Sequence, residues 1–139
     1  MSAASASGRL RDNLRQHLDS LQVLLDLLQQ EREALPNDDI EALERITRSK
    51  ASATEHLHAL GRELPSLRAS VAGAPEEWAA VQALAARCQS ANSANASLLD
   101  VRARAVRGKL QVLRGNPVAS VYGRSGNAAA FGSRRLGLA

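Results

Sequence analysis

Apolar positions recur at helical spacing through three long stretches of the chain. In the first, from about Arg9 to Leu35, the residues Leu14, Leu18, Leu21, Leu25 and Leu28 follow an alternating four-three spacing that Arg32 and Leu35 continue. A period of 3.5 makes a seam of the kind that coiled-coil-like helices bury. Leu10 and Leu24 widen the seam, as a helix touching two neighbours needs. Val23 and Leu27 lie off it and are expected to face the third helix or a second subunit. Residues 1–8, rich in Ser and Ala, read as a loose leader.

Pro36-Asn37-Asp38-Asp39 predicts a stop. Proline cannot continue the hydrogen-bond ladder and biases Leu35 away from helical geometry. Asp38 or Asn37 is then expected to cap the second helix, with Asp38 and Glu41 as a weak capping box. So short a connection makes the two helices antiparallel neighbours. The second stripe runs from about Asp39 to Leu64 through Ile40, Leu43, Ile46/Thr47, Lys50, Thr54, Leu57, Leu60 and Leu64, and Pro65 is expected to end it. Lys50 and Thr54 interrupt its apolar character. Ser66 to Ala74 reads as a connection of small residues, with room for one helical turn around Leu67 to Val71.

The third stretch, Pro75 to Arg114, holds no internal proline and a single glycine, Gly108. Proline suits the first position of a helix, and Glu76 and Glu77 complement its N-terminal dipole. A continuous helix here is roughly 60 Å long, against roughly 40 Å for each of its predecessors. Packed side by side, the third helix outruns the other two. The excess, Val101 to Arg114, carries Val101, Val106, Leu110, Val112 and Leu113 among Arg102, Arg104, Arg107, Lys109 and Arg114. In mid-helix, Asn92 and Asn95 sit on the same seam as Val81, Cys88 and Leu99. These amides either fix helix register across the bundle, as buried asparagine does in coiled coils, or see water on a half-covered face.

The expected fold is therefore all-α: an antiparallel bundle of three long helices, at about 9–35, 39–64 and 75–114. A short fourth helix, in the 66–72 connection or in the tail, stays open. Residues 1–114 form the bundle domain. Residues 115–139 hold five glycines, three arginines and no acid, and read as a flexible basic tail.

Composition narrows the function. Trp78, Tyr122 and Phe131 are the only aromatic residues, so the chain offers no stacking platform for bases. The net charge of +4 is placed unevenly: residues 1–73 carry nine basic and eleven acidic side chains, residues 74–139 nine and three. A basic C-terminal half suits an acidic protein, an anionic surface or nucleic acid. A basic nucleic-acid-binding protein or a coiled-coil scaffold is the alternative reading, and a homodimer stays open. Cys88 is the single cysteine, which excludes an internal disulfide or a thiolate cluster. No apolar h-region marks a signal peptide, and no apolar run approaches the ~18 residues that span a bilayer.

Catalytic patterns are wanting. His56 and His58 stand two apart and point to different sides of a helix, so they cannot share one metal. His58-Ala-Leu-Gly61 lacks the lysine expected beside a phosphotransfer histidine. There is no GxxxxGK phosphate cradle. No enzyme, metal or cofactor is expected, and the third helix is left as an interaction surface. An amphipathic stretch of this kind lies in a partner's groove or accepts a partner helix.

Taken in order, Leu24-Leu-Asp-Leu-Leu-Gln-Gln-Glu-Arg-Glu-Ala-Leu35, Asp39-Ile-Glu-Ala-Leu43, Lys50 with Leu57 and Leu60, Cys88, Asn92 and Asn95, the helix end Leu110 to Gly115 and the tail Val121-Tyr122-Gly123-Arg-Ser-Gly126 resemble the FlgN family. These are flagellar type III export chaperones for the hook-filament junction proteins. The order and spacing carry the likeness rather than any one motif. Ala96 departs from the glycine usual after the second asparagine. The resemblance implies a cytoplasmic chaperone without ATPase activity. It would bind the C-terminal helical segments of hook-associated proteins, prevent their premature assembly and deliver them to the export gate. Client binding is then expected on Leu99, Val101, Arg102, Val106, Arg107, Leu110 and Leu113. Tyr122 matches the tail tyrosine implicated in docking to the cytoplasmic domain of the export-gate membrane protein.

Overall fold

A computed structural model describes residues 3–114 of the chain. They form helix α1 (Ala3–Ala34), a 3-10 turn (Leu35–Asn37), helix α2 (Ile40–Ala69) and helix α3 (Glu76–Arg114), with no strand among them. The tail from 115 onward, read above as flexible, lies outside the described residues.

The leucine seam makes α1 the spine. Leu10, Leu14, Leu21 and Leu28 are fully buried, and Leu24 and Leu25 nearly so. Leu57 and Leu64 of α2 and Val81, Ala85 and Cys88 of α3 join them in one continuous core. The broad seam lets α1 pack on both partners, whereas α2 and α3 meet each other little. Val23 faces neither neighbour and is more than half exposed.

Polar contacts reveal direction and register. The Cys88 thiol donates to the Leu21 carbonyl (3.3 Å), and Asn95 donates to the Leu28 carbonyl (2.8 Å). Both partners advance by seven residues, so α3 runs parallel to α1. Asn13 of α1 donates to the Leu60 carbonyl of α2 (3.1 Å), while Glu31 meets Lys50, so α2 runs antiparallel to both.

Several boundaries differ from those expected. Helix α1 starts at Ala3 instead of near Arg9, because alanine propagates a helix well and Ala6 is buried. Asp39, not Asp38 or Asn37, caps α2, its carboxylate accepting from the Ala42 amide at 3.1 Å. Asp38 instead takes a left-handed backbone (φ 52°), and Asn37 donates to the Glu33 carbonyl. Pro65 does not end α2, which continues to Ala69, so residues 66–69 extend α2 instead of forming a separate helix. A proline inside a helix removes one backbone bond and crowds the carbonyl four residues before, here that of Gly61. Burial of Leu64 and the packing of Leu67 and Val71 on the core hold the helical path across it. Gly73, at φ 78°, then supplies the reversal that a side chain would strain.

Among the described residues three buried side-chain atoms, on Asn13, His17 and Glu77, have no hydrogen-bond partner, and the histidine is the one that titrates near neutral pH. His17 is fully buried, with Nδ1 3.1 Å from the Asn13 carbonyl and Nε2 without a partner. Burial pushes its pKa below the ordinary 6.5; the Asn13 carbonyl opposes this and His56 reinforces it. The folded state therefore binds the proton less readily than the unfolded state. Stability from neutral His17 is complete above the unfolded pKa and is lost as pH falls from there towards the lowered folded value. Unfolding free energy measured from neutral to mildly acidic pH should fall, at a slope of at most about 1.4 kcal/mol per pH unit from this group. His17→Gln should flatten that slope; an unchanged slope would assign it to other groups.

Candidate functional site

The seam of α3 is covered only over part of its length. Val81, Ala85, Cys88 and Asn95 are buried, and Asn92 is half-buried. At the base of the helix Glu77 lies near Arg11 and Arg15 (4.0 and 3.9 Å), and Arg68 of α2 stacks on Trp78, 4.5 Å from the ring centroid. Beyond Asn95 the seam opens. Leu99 is 56%, Val106 57%, Leu110 44% and Leu113 82% exposed. Their spacing keeps them in phase with Cys88 and Asn95, so the strip that is core lower down becomes bare surface higher up.

The point of change is marked by charge. Lys50 of α2 donates to both carboxylate oxygens of Glu31 on α1 (3.1 Å each) and to the Asn92 side-chain oxygen on α3 (3.3 Å). Asn95 donates to Glu31 as well, at 2.9 Å. One polar layer thus ties three helices. Both amides find protein partners here, and the Lys50 that breaks the apolar stripe of α2 is buried. About two turns above Asn95, Arg102 pairs with Asp38 at the end of the 3-10 turn. The remaining residues, 103–114, extend about 18 Å past that point.

The expected site residues do not all share one face. Leu99, Val106, Leu110 and Leu113 form the strip. Val101 is exposed on another side, with Val112. Arg102 is engaged by Asp38, and Arg104 pairs with Asp100 at 2.7 Å. Arg107 and Lys109 pair with no carboxylate among the described residues. Tyr122 lies outside the described residues. Reading the sequence missed Glu31, Lys50 and Asp38; a lysine and a glutamate on the core-facing stripes of adjacent helices were the available signal.

Cys88 offers no nucleophile. Burial pushes its thiol up to about 11, with Arg87 opposing slightly. The described residues hold no group of three potential metal-ligating side chains. No described helix is long and apolar enough to cross a membrane.

Against known families, the model of the FlgN protein matches residues 1–130. The chain belongs to the FlgN family. FlgN proteins are flagellar export chaperones, a family of chaperones and not of enzymes. No curated protein and no solved structure matches the chain. For this FlgN-family bundle the polar layer is the feature most open to a stability measurement. Asn95→Ala removes two hydrogen bonds from a buried position and should cost about 1–3 kcal/mol in urea unfolding. A loss below about 0.5 kcal/mol would mean that solvent replaces both contacts.

Proposed function

We propose that this chain is a cytoplasmic export chaperone that takes the C-terminal helical segments of hook-associated proteins on the free length of α3. It holds them from premature assembly and hands them to the export gate without ATP. What carries this reading is the apolar strip Leu99, Val106, Leu110 and Leu113, in phase with the core yet exposed. A client helix laid on it would bury the strip as α1 buries Val81 and Cys88 below. Arg107 and Lys109, one on each side of the strip, suit clients with acidic helix faces and would speed their encounter at low salt. Val101 and Arg102 belong to the edge of such a site rather than its floor.

The tail supplies the second half of the reading. Tyr122 docks the loaded chaperone to the cytoplasmic domain of the export-gate membrane protein, which separates carrying from delivery. Its support is the resemblance alone.

Two measurements test this. Leu110→Asp with Leu113→Asp should abolish co-purification of hook-associated proteins and leave helical circular dichroism nearly unchanged, because both side chains are exposed. Retained client at wild-type affinity would refute the strip as the site. Tyr122→Ala should keep the client and lose binding to the gate's cytoplasmic domain; loss of client instead would overturn the division of labour.

A further inference from the structure

The bare strip on α3 has a counterpart. Ile40, Leu43, Thr47 and Lys50 follow a three-four-three spacing, so they form one stripe of α2. Lys50 on that stripe reaches Asn92, which places the stripe on the side turned to α3. The two helices run antiparallel from that contact. Leu43 therefore lies at about the height of Leu99, and Ile40 at about the height of Arg102, about two and three turns on. Ile40 is 61% exposed despite its size, and Leu43 is half-buried. Together with Glu44, Thr47 and Arg48 they line an open depression of about 400 Å³. All five lie on α2; because α2 and α3 meet little, the apolar stripe of α2 and that of α3 stand apart above the Lys50–Asn92 contact.

We infer that the space between these stripes seats a single amphipathic helix, held at its lower end between Ile40 and Leu43 of α2 and Leu99 of α3, and further up by Val106 and Leu110 of α3 alone. The inference rests on the reading of α3 as the client-binding element and adds the start of α2 to it. Charge selects the occupant. Past the Lys50 layer Arg107 and Lys109 stand on opposite sides of the α3 strip, neither paired with a carboxylate among the described residues, so the helix that fits is acidic on the flanks of its apolar stripe. A second copy of this chain would bring the same cations against them, and like charges oppose that pairing. The Arg102–Asp38 pair joins α3 to the turn before α2 and fixes the separation of the stripes there.

The test uses the full chain and a fluorescein-labelled synthetic peptide of about five helical turns, with a leucine stripe and glutamate flanks. A counterpart with lysine flanks is titrated in parallel. The variants are Ile40→Ser, Leu110→Asp and, as a control on an exposed apolar residue elsewhere, Val23→Asp. Ile40 is exposed at the first position of α2, so its loss leaves the core intact, which circular dichroism checks. The expected result is acidic-peptide binding that Ile40→Ser weakens about tenfold, Leu110→Asp abolishes and Val23→Asp leaves unchanged. Loss with Leu110→Asp but none with Ile40→Ser would overturn the α2 side of the seat and leave the α3 strip standing. Loss with neither would overturn the strip as well. Equal binding of the lysine peptide would overturn the acidic partner. Concentration-dependent dimerisation that Ile40→Ser abolishes and the acidic peptide fails to displace would make a second copy the occupant, and would equally overturn it.

Discussion

Lys50 sits where three helices come closest to sharing a charge. Its ammonium meets Glu31 on α1 and Asn92 on α3, and Glu31 in turn accepts from Asn95. Both ionic side chains are largely withdrawn from water, so much of their attraction is offset by desolvation. The value of such a layer lies less in net stability than in alignment. A leucine seam tolerates a slip of one heptad, because another leucine replaces the first. A lysine that must meet a carboxylate and an amide does not. Slipping α3 by seven residues on α1 would leave Glu31 and Lys50 without Asn92 and Asn95. The alignment matters because α3 is longer than its partners: register decides how much of it is left over and at which end.

Everything above and below this layer follows from the shape of α1. A seam wide enough for two neighbours makes α1 the only helix that packs on both. The pair α2 and α3, each bound to the spine, need not close on one another. A closed bundle would have buried Ile40, Leu43 and Leu99 together and ended as a rod. An open one leaves the stripes of α2 and α3 apart. Small residues assist this: Ala85, Ala91 and Ala94 fill α3 cheaply, and burial depends on the leucines of α1.

Much of this was legible in the residues. The four-three leucine spacing of α1 is a strong periodic signal, and of the positions it marked Leu14, Leu21, Leu25, Leu28 and Leu35 are buried, Leu18 is half-buried and Arg32 is exposed. The long unbroken stretch to Arg114 announced a helix that exceeds its neighbours. Local punctuation was read less well, since tertiary packing outweighs it. Pro65 looks like a terminator because the cost of an interior proline is local and visible, whereas the burial of Leu64 and Leu67 that holds the helix across it is not. Asp38 and Asp39 are chemically alike, and only the left-handed backbone at Asp38 decides that Asp39 caps while Asp38 meets Arg102. Lys50 seemed to weaken its stripe for a related reason: a charge on a core-facing position reads as a defect until its partners on other helices are known.

The free length of α3 carries a cost that bears on how it works. Helices draw most of their stability from a packed face, and a segment of about twelve unpacked residues is marginal in water. Gly108 stands within it and lowers helix propensity by about 1 kcal/mol relative to alanine. No neighbour occupies the space beside that glycine, so packing does not require the residue to be small. Its effect in the free protein is to keep the end of α3 close to the balance between ordered and frayed. On the function proposed above, a partner helix covering Leu99, Val106 and Leu110 would hold this segment in helical form, and part of the contact energy would be consumed in doing so. The same term works in reverse on release. Grip that is broad but net weak per unit of buried surface would suit the carrier proposed above, which releases its client without ATP.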